Sequence, residues 1–327
     1  MNIKQLTLAS MAIGLLSLVS TSVSANEKPD ISEIHFLIPG GPGGGWDGTA
    51  RGTGEALMKS GKVENASYQN MSGGGGGKAI AYMIETAAKQ KNTLMVNSTP
   101  IVVRSLSGVF PQSFRDLKPV AGTIADFGAF VVRKDSKYYD WRDVLADFKQ
   151  NPRKVKFSGG SSRGSLDHLV AAMAIKAGRA KPRKLVYVAY DGGGKAMAGL
   201  LSGETAILST GVGEALTMAQ SGDVRILAIT SKERLTVLPN IPTLTEMGYE
   251  VVFANWRGFF AAPTMSDEKV AAYAKLLGDV QDTPEWTKIQ ERNGWVNLYN
   301  ADSEFYAFLE KQEKDLGVLM RELGFLK

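Results

Sequence analysis

The feature that most constrains the fold is a repeated order of segments: an apolar, strand-like run, then a glycine-rich turn, then an amphipathic helix. The four glycine-rich turns span residues 40–45, 72–77, 158–165 and 190–195. Alternation of strands and helices is typical of α/β proteins with parallel strands. Four such turns exceed what one sheet needs. The sequence therefore predicts an α/β fold with mixed, largely parallel sheets in two similar lobes, each of which contributes two turns.

The first 25 residues have the pattern of a secretory signal peptide. Lys4 precedes an apolar run over residues 6–19, and the sequence VSA that ends at Ala25 fits a small-residue cleavage site. The run is shorter than the roughly 20 residues that a membrane-spanning helix requires. We therefore expect export to the periplasm, with cleavage after Ala25.

The composition removes several classes of site. The 327 residues include no cysteine, which excludes disulfides and thiol catalysis, and only two histidines, His35 and His168. Neither histidine has a cluster of carboxylates beside it, so we expect no metal and no cofactor. The formal charge of +5 is dispersed and lacks the basic stripe with aromatic residues that is typical of nucleic-acid binding. We therefore expect no nucleic-acid partner.

Glycine-rich turns that lead into helices are suited to binding anions. The first N–H groups of a helix lack partners, the helix dipole favours negative charge there, and glycine lets the backbone approach a ligand closely. Residues 43–48 match G-x-G-x-x-G, but the acidic residue that would bind a ribose is missing. The Walker A pattern fails at Ser72 and at Ala79. The sequence therefore predicts an anion other than a nucleotide.

The candidate ligand-binding residues lie in the glycine-rich turns and just after two strand-like runs. The carboxyl ends of strands line the ligand crevice in open α/β sheets, which adds hydroxyl residues at those ends. The candidates are Gly43, Gly44, Gly45, Trp46, Asp47, Ser98, Thr99, Gly160, Ser161, Ser162, Arg163, Ser165, Gly192, Gly193, Ser209 and Thr210.

Three of these side chains have two interpretations each. Asp47 is either the N-cap of the first helix or a contact to a ligand hydroxyl or ammonium group. Trp46 is either an apolar wall over the ligand or packing between loops. Arg163 either meets a second carboxylate of the ligand with its forked guanidinium or faces solvent. If Arg163 faces solvent, hydroxyls near Ser98 or Ser209 hold that carboxylate.

The C-terminal part predicts helices, among them residues 284–293 and 303–323. Pro284 suits the first turn of the former, and Gly294 suits its end. Ser303 is expected to cap the latter.

Several longer motifs occur in a fixed order. They are PGGGWD at residues 42–47, SGGGGG at 72–77, SGGSSRGSLDH at 158–168, VAYDGGGKAMAGLLSG at 188–203, RILAITSKERLTVLPNIPTLTEMGY at 225–249 and WRGFFAAP at 256–263. Together they cover nearly all of the mature chain. This order resembles the extracytoplasmic solute-binding proteins of tripartite tricarboxylate transporters, the Bug or TctC family.

The resemblance implies two α/β lobes, residues 26–127 with 251–327 and residues 128–250, which close on a ligand. It implies that the first turn and a turn of the second lobe hold one ligand carboxylate through backbone N–H groups and ordered water. Trp46 and YDGGGKAMAGL resemble the tricarboxylate-binding subgroup. We therefore expect a non-enzymatic monomer that binds a small di- or tricarboxylate, with citrate-like acids ahead, and delivers it to two transporter membrane subunits.

The alternative is an exported hydrolase that acts on a small anionic substrate. The sequence contains no G-x-S-x-G nucleophile motif, and neither histidine sits in a triad-like signature. A pair of catalytic carboxylates brought together by the fold stays open at this point.

Overall fold

The structure, a computed structural model, describes residues 31–327. The expected signal peptide, with its cleavage after Ala25, lies outside the described residues. Within residues 31–327 no helix is both long enough and apolar enough to cross a membrane.

Strands and helices alternate along the described chain. The strands are β1 Glu33–Ile38, β2 Asn65–Asn70, β3 Thr93–Ser98, β4 Lys118–Arg133, β5 Lys156–Gly159, β6 Val186–Ala189, β7 Ile207–Gly211, β8 Val224–Ile229, β9 Ala254–Ala261 and β10 Val296–Ala301. The α-helices are α1 Gly45–Lys59, α2 Gly77–Glu85, α3 Thr99–Leu106, α4 Trp141–Gln150, α5 Leu166–Ala177, α6 Gly193–Leu201, α7 Val212–Gln220, α8 Asp267–Asp279, α9 Pro284–Asn293 and α10 Asp302–Leu323. The expected α/β class is confirmed.

The sheet is mixed. Parallel pairs join β1 to β2 and β3, and β5 to β6 and β7. Helices α1, α2, α5 and α6 lie in the connections of these units, as parallel strands require crossover segments. Every antiparallel pair involves β4 or β9. The glycine-rich turns therefore lie at the carboxyl ends of two separate groups of parallel strands.

Strand β4 connects those two groups. Its first part, up to Phe127, pairs with β9 and β10, and its second part, from Gly128, pairs with β7 and β8. Strand β9 then returns to the first group and lies between β3 and β4. The lobe boundaries at residues 127/128 and 250/251 stay a proposal, and this change of partners along β4 supports them.

Large aromatic side chains fill the core. Trp141 of α4 packs on Phe130 of β4, with ring centroids 4.4 Å apart, and both are buried. Trp256 of β9 packs on Phe305 of α10 at 5.7 Å. The C-terminal helix thus covers the strands that connect the two halves, and its burial contributes to holding them together.

Helix α9 has the predicted bounds. Pro284 occupies its first turn after an N-cap at Thr283, and Gly294 ends it in the left-handed conformation, with φ of 64°. The expected cap of α10 is wrong: the helix begins at Asp302, and its N-cap is Ala301, which supplies no side-chain hydrogen bond. A helix can begin without a side-chain cap when its first N–H groups find other partners.

Candidate functional site

A cavity of about 410 Å³ lies where the carboxyl ends of β1, β3, β5, β6 and β7 converge. All four glycine-rich turns border it. This is the position that open α/β sheets use for ligands. Its volume is in the range of small-molecule binding sites.

Most of the candidate residues border this cavity, whereas Gly43, Asp47 and Thr99 do not. Those that border it are Gly44, Gly45, Trp46, Ser98, Gly160, Ser161, Ser162, Arg163, Ser165, Gly192, Gly193, Ser209 and Thr210. Thr99 is fully buried in the first turn of α3. The cavity therefore gathers residues from turns that are more than 100 positions apart in sequence.

Two glycines are required by close approach. A Cβ atom on Gly160 would lie 2.3 Å from the backbone nitrogen of Gly193, so the third and fourth turns can touch only without a side chain there. A Cβ atom on Gly45 would lie 2.2 Å from Nη2 of Arg257. Glycine in these turns thus serves packing against neighbouring groups as well as access of a ligand to the backbone.

Trp46 packs between loops and also borders the cavity, and its role as a wall over the ligand stays a prediction. Its Nε1 donates a hydrogen bond of 2.8 Å to Oγ of Ser98. Its ring lies against Gly40 of the first turn and Gly76 of the second. The indole therefore joins two glycine-rich turns and presents an apolar wall to the cavity.

Asp47 is not the N-cap of α1. The helix begins at Gly45 after an N-cap at Gly44, so Asp47 is the third helical residue. Its buried carboxylate turns away from the cavity and accepts hydrogen bonds from the Gly43 backbone nitrogen at 3.0 Å, from Arg51 Nε at 2.9 Å and from Asn70 Nδ2 at 3.0 Å. Asp47 thus stabilises the first turn through the Gly43 backbone nitrogen, and its charge is paired with Arg51.

A buried ion pair that sequence reasoning missed borders the cavity. Arg257 Nη2 donates to Asp126 Oδ2 at 2.7 Å, and Arg257 Nη1 donates to Thr49 Oγ1 at 3.1 Å. The side chains of Arg257 and Asp126 are 4% and 0% exposed. Burial raises the pKa of Asp126 to about 6, although the Arg257 guanidinium opposes this rise. The pair joins β9 to β4 at the point where β4 changes partners.

A second buried arginine, Arg104 of α3, borders another part of the cavity. Its Nη1 donates a long hydrogen bond of 3.3 Å to the carbonyl oxygen of Arg163. Its Nε is buried and has no hydrogen-bond partner. Burial lowers the pKa of Arg104. In the described part of the chain this guanidinium has no carboxylate partner.

Two carboxylates also border the cavity from the side of β5 and β7. Asp167 accepts a hydrogen bond of 2.9 Å from the Ser161 backbone nitrogen, and Glu214 accepts one from the Thr210 hydroxyl. Burial, together with the nearby Glu214 charge, raises the pKa of Asp167 to about 7. A protonated Asp167 can donate a hydrogen bond to an anionic ligand, whereas an ionised one repels it.

Arg163, the side chain singled out from the sequence, is exposed at the rim of the cavity, and its carbonyl rather than its guanidinium contacts Arg104. His168, five positions later in α5, is buried, and its Nδ1 accepts a hydrogen bond of 2.9 Å from the Gly164 backbone nitrogen. Burial, with the nearby Arg163 charge, lowers the pKa of His168 to about 4, so the ring is neutral at pH 7.

The cavity residues that the sequence analysis missed include both uncharged and charged side chains. The charged ones are Arg104, Asp126, Asp167, Asp191, Glu214 and Arg257. Arg104 stands in the apolar run PIVVRSL, and Arg257 stands in NWRGFF. A lone charge in a buried segment needs a partner, and that requirement was the available signal.

Comparison with known proteins places this geometry in a family. A family model described as "Tripartite tricarboxylate transporter family receptor" matches residues 59–325. The protein BugT of Bordetella pertussis is 31% identical over 258 residues, which cover 77% of this chain and 76% of BugT.

Solved structures with low sequence identity share the fold. The periplasmic binding protein BugD aligns with a TM-score of 0.79 at 20% identity, over 89% of this chain and 97% of BugD. MatC from Rhodopseudomonas palustris with bound malate aligns with a TM-score of 0.76 at 18% identity, over 88% of this chain and 99% of MatC. These alignments confirm the two-lobe α/β fold of periplasmic binding proteins. The chain belongs to the receptor family of tripartite tricarboxylate transporters.

Proposed function

We propose that this chain is a periplasmic solute-binding protein that captures a small di- or tricarboxylate between its two lobes. The observation that carries the proposal is the cavity of about 410 Å³ with glycine-rich turns from both groups of parallel strands in its wall. Backbone N–H groups at helix starts favour a carboxylate there. Membership in the receptor family supports a role in transport.

The two halves approach each other closely across the cavity, which suits a site that encloses its ligand. A Cβ atom on Gly41 would lie 3.6 Å from the carbonyl oxygen of Asp191, and one on Gly44 would lie 3.9 Å from the nitrogen of Gly193. A ligand held by both sides stabilises this closed arrangement, because it contacts both halves only there.

The size of the acid is the finer part of the proposal. Citrate-like acids are the expectation from the sequence, and the solved structure of MatC holds malate, a dicarboxylate. We keep both classes and propose delivery of the bound acid, by a monomeric receptor, to the membrane subunits of a tripartite transporter. The residues that border the cavity are the proposed contacts.

Calorimetric titration of the chain lacking residues 1–25 tests this proposal. Citrate, malate, succinate and adipate form the panel, with glucose and putrescine as a neutral and a cationic control. We expect binding of at least one di- or tricarboxylate and of neither control. Binding of glucose or putrescine alone would contradict the proposal.

The alternative function, an exported hydrolase, predicts turnover. Asp167 and Glu214 are close enough for their charges to interact, and paired carboxylates can act in hydrolysis. Incubation with small anionic esters and amides, followed by product analysis, distinguishes the two functions. We expect no product, together with ligand-dependent thermal stabilisation by carboxylates.

A further inference from the structure

Three arginines border the cavity, and they differ in what their guanidinium groups contact. Arg257 is buried and forms an ion pair with Asp126. Arg163 is exposed. Arg104 is buried, with 9% of the residue exposed, and its only hydrogen bond runs to a carbonyl oxygen at 3.3 Å. Arg104 is therefore the one of these three that combines burial with an unmatched charge in the described part of the chain.

An unmatched buried guanidinium is unfavourable, because the protein interior does not replace the water that the charge has lost. Among the described residues the Nε of Arg104 has no hydrogen-bond partner; the same holds for Arg257 Nε, but that guanidinium is paired with Asp126. A carbonyl oxygen carries only a partial charge and compensates the cation weakly. A carboxylate compensates it fully and can accept two parallel N–H bonds from the planar fork.

The position of Arg104 directs its side chain to the cavity. Helix α3 begins at Thr99, immediately after β3 ends at the cavity, and Arg104 lies five residues further along. Side chains on a helix lean toward its N-terminus, which here is the end at the cavity. The preceding residues of α3, from Thr99 to Val103, are all buried, so the helix is fixed in place.

The second glycine-rich turn makes room for this side chain. Gly75 has φ of +66°, and a Cβ atom there would lie 2.9 Å from Arg104 Nε and 3.4 Å from Ser162 Oγ of the opposite turn. Arg104 therefore lies at the junction of the second and third turns. The sequence analysis placed a ligand-binding arginine in the third turn itself, at Arg163.

We propose that Arg104 binds a second carboxylate of the ligand and sets the preference for di- and tricarboxylates over monocarboxylates. This inference rests on the proposed function, since it assigns one end of the same cavity. One carboxylate binds at the backbone N–H groups of the glycine-rich turns, and the other pairs with Arg104 beside Gly75 and Ser162. The hydrogen bond from Arg104 to the Arg163 carbonyl connects the two sides of the cavity. A ligand carboxylate bound at Arg104 therefore favours closure of the two lobes.

Titration of matched acids tests the proposal. Malate is compared with 3-hydroxybutyrate, in which a methyl group replaces one carboxylate, and citrate and adipate extend the series. For Arg104→Gln we expect the affinity for the di- and tricarboxylates that bind the unmodified protein to fall about 30- to 1,000-fold, as for loss of one partner of a buried charge pair. The affinity for 3-hydroxybutyrate should change less than about threefold, because no charge pair with Arg104 forms.

Two further variants test whether the loss of affinity is specific to the Arg104 guanidinium. Arg142→Gln removes the same charge from an exposed site on α4, where Arg142 is 63% exposed, and we expect no change in affinity. Arg104→Lys keeps the charge but loses the fork, so we expect a partial loss of about 5- to 50-fold. Arg104→Lys also provides the measurement if Arg104→Gln does not fold.

The possible failures are distinguishable. If the unmodified protein binds no acid of the series, the proposed function is wrong. If it binds dicarboxylates and Arg104→Gln and Arg104→Lys bind them equally well, the function stands and the role of Arg104 is wrong. If Arg163→Gln produces the loss instead, the second carboxylate pairs with Arg163 at the rim.

Discussion

Two buried arginines border the cavity, and their surroundings are opposite. Arg257 has a carboxylate partner, Asp126, at 2.7 Å and a hydroxyl partner, Thr49, at 3.1 Å. Arg104 has one carbonyl partner at 3.3 Å and, among the described residues, no carboxylate partner. The Nε atoms of both arginines lack a hydrogen-bond partner there, so the difference lies in the carboxylate. The first guanidinium is balanced by the fold itself. The second is balanced only when something else supplies a negative charge.

This difference separates a structural charge from a binding charge. Removing one member of a matched buried pair leaves the other uncompensated, which costs stability. Removing an unmatched buried charge leaves no such partner behind. The comparison therefore predicts that the same substitution, arginine to glutamine, lowers stability at Arg257 and affinity at Arg104.

The largest expected effect is the loss of stability in Arg257→Gln. We expect the free energy of unfolding to fall by about 3–5 kcal/mol near pH 8, because Asp126 is left buried without its cation and must either stay ionised or take up a proton. At pH 5 the loss should be smaller, since Asp126, with its pKa of about 6, is then largely protonated. Urea unfolding at both pH values measures this.

An exposed ion pair provides the control for that experiment. Arg292 pairs with Glu55 at 2.9 Å, with the arginine side chain 57% exposed. Arg292→Gln should change stability by less than about 1 kcal/mol. An equal effect of Arg257→Gln and Arg292→Gln at pH 8 would show that the buried pair contributes no more to stability than the exposed pair.

The next effect concerns the contact between the first turn and Arg257. In Gly45→Ala the new methyl group lies 2.2 Å from Arg257 Nη2, so the guanidinium must move away from Asp126. We expect a loss of about 1–3 kcal/mol in urea unfolding. Gly48→Ala, on the same helix but with open space around its Cβ, should be neutral or stabilising by up to about 1 kcal/mol. Equal changes in the free energy of unfolding for the two variants would show that contact with Arg257 does not cause the loss.

A smaller effect should appear in the pH dependence of stability. The pKa of Asp167 is raised to about 7 in the fold from an ordinary value of 3.8, so the folded chain holds this proton more tightly than the unfolded chain. Its contribution to stability is therefore largest at low pH and is lost as the pH rises from about 4 to 7.

Asp167→Asn isolates this contribution. Asp126, whose raised pKa has the same sign, and His168, whose lowered pKa of about 4 has the opposite sign, stay in both proteins. The stability of the variant relative to the unmodified protein should thus increase from pH 4 to pH 7 and then level off. A relative stability that is constant across this range would contradict the raised pKa.

Much of the fold was predictable, because its determinants are local. The alternation of strands, glycine-rich turns and helices gave the class, and Pro284 and Gly294 gave the bounds of α9. An N-cap at Asp47 would have started α1 at Gly48, three residues later than the observed start at Gly45. A glycine N-cap at Gly44 leaves no side-chain signal, whereas Asp47 resembles one.

The charged part of the candidate site was not predictable, because its contacts are long-range. Arg257 and Asp126 are 131 positions apart, and Arg104 contacts a carbonyl 59 positions away. Nothing local distinguishes the exposed Arg163 from a ligand-binding arginine. The sequence located the turns that form the cavity but could not indicate which arginine the fold buries without a partner.

The most direct test of the comparison is the stability of Arg104→Gln without ligand, measured by urea unfolding beside the unmodified protein. The substitution loses one long hydrogen bond to the Arg163 carbonyl but also removes an uncompensated buried charge. We expect a free energy of unfolding within about 1 kcal/mol of the unmodified protein, or higher. A loss of unfolding free energy as large as that of Arg257→Gln would show that other groups of the protein already compensate the charge of Arg104. That result would contradict its assignment as a ligand-binding charge.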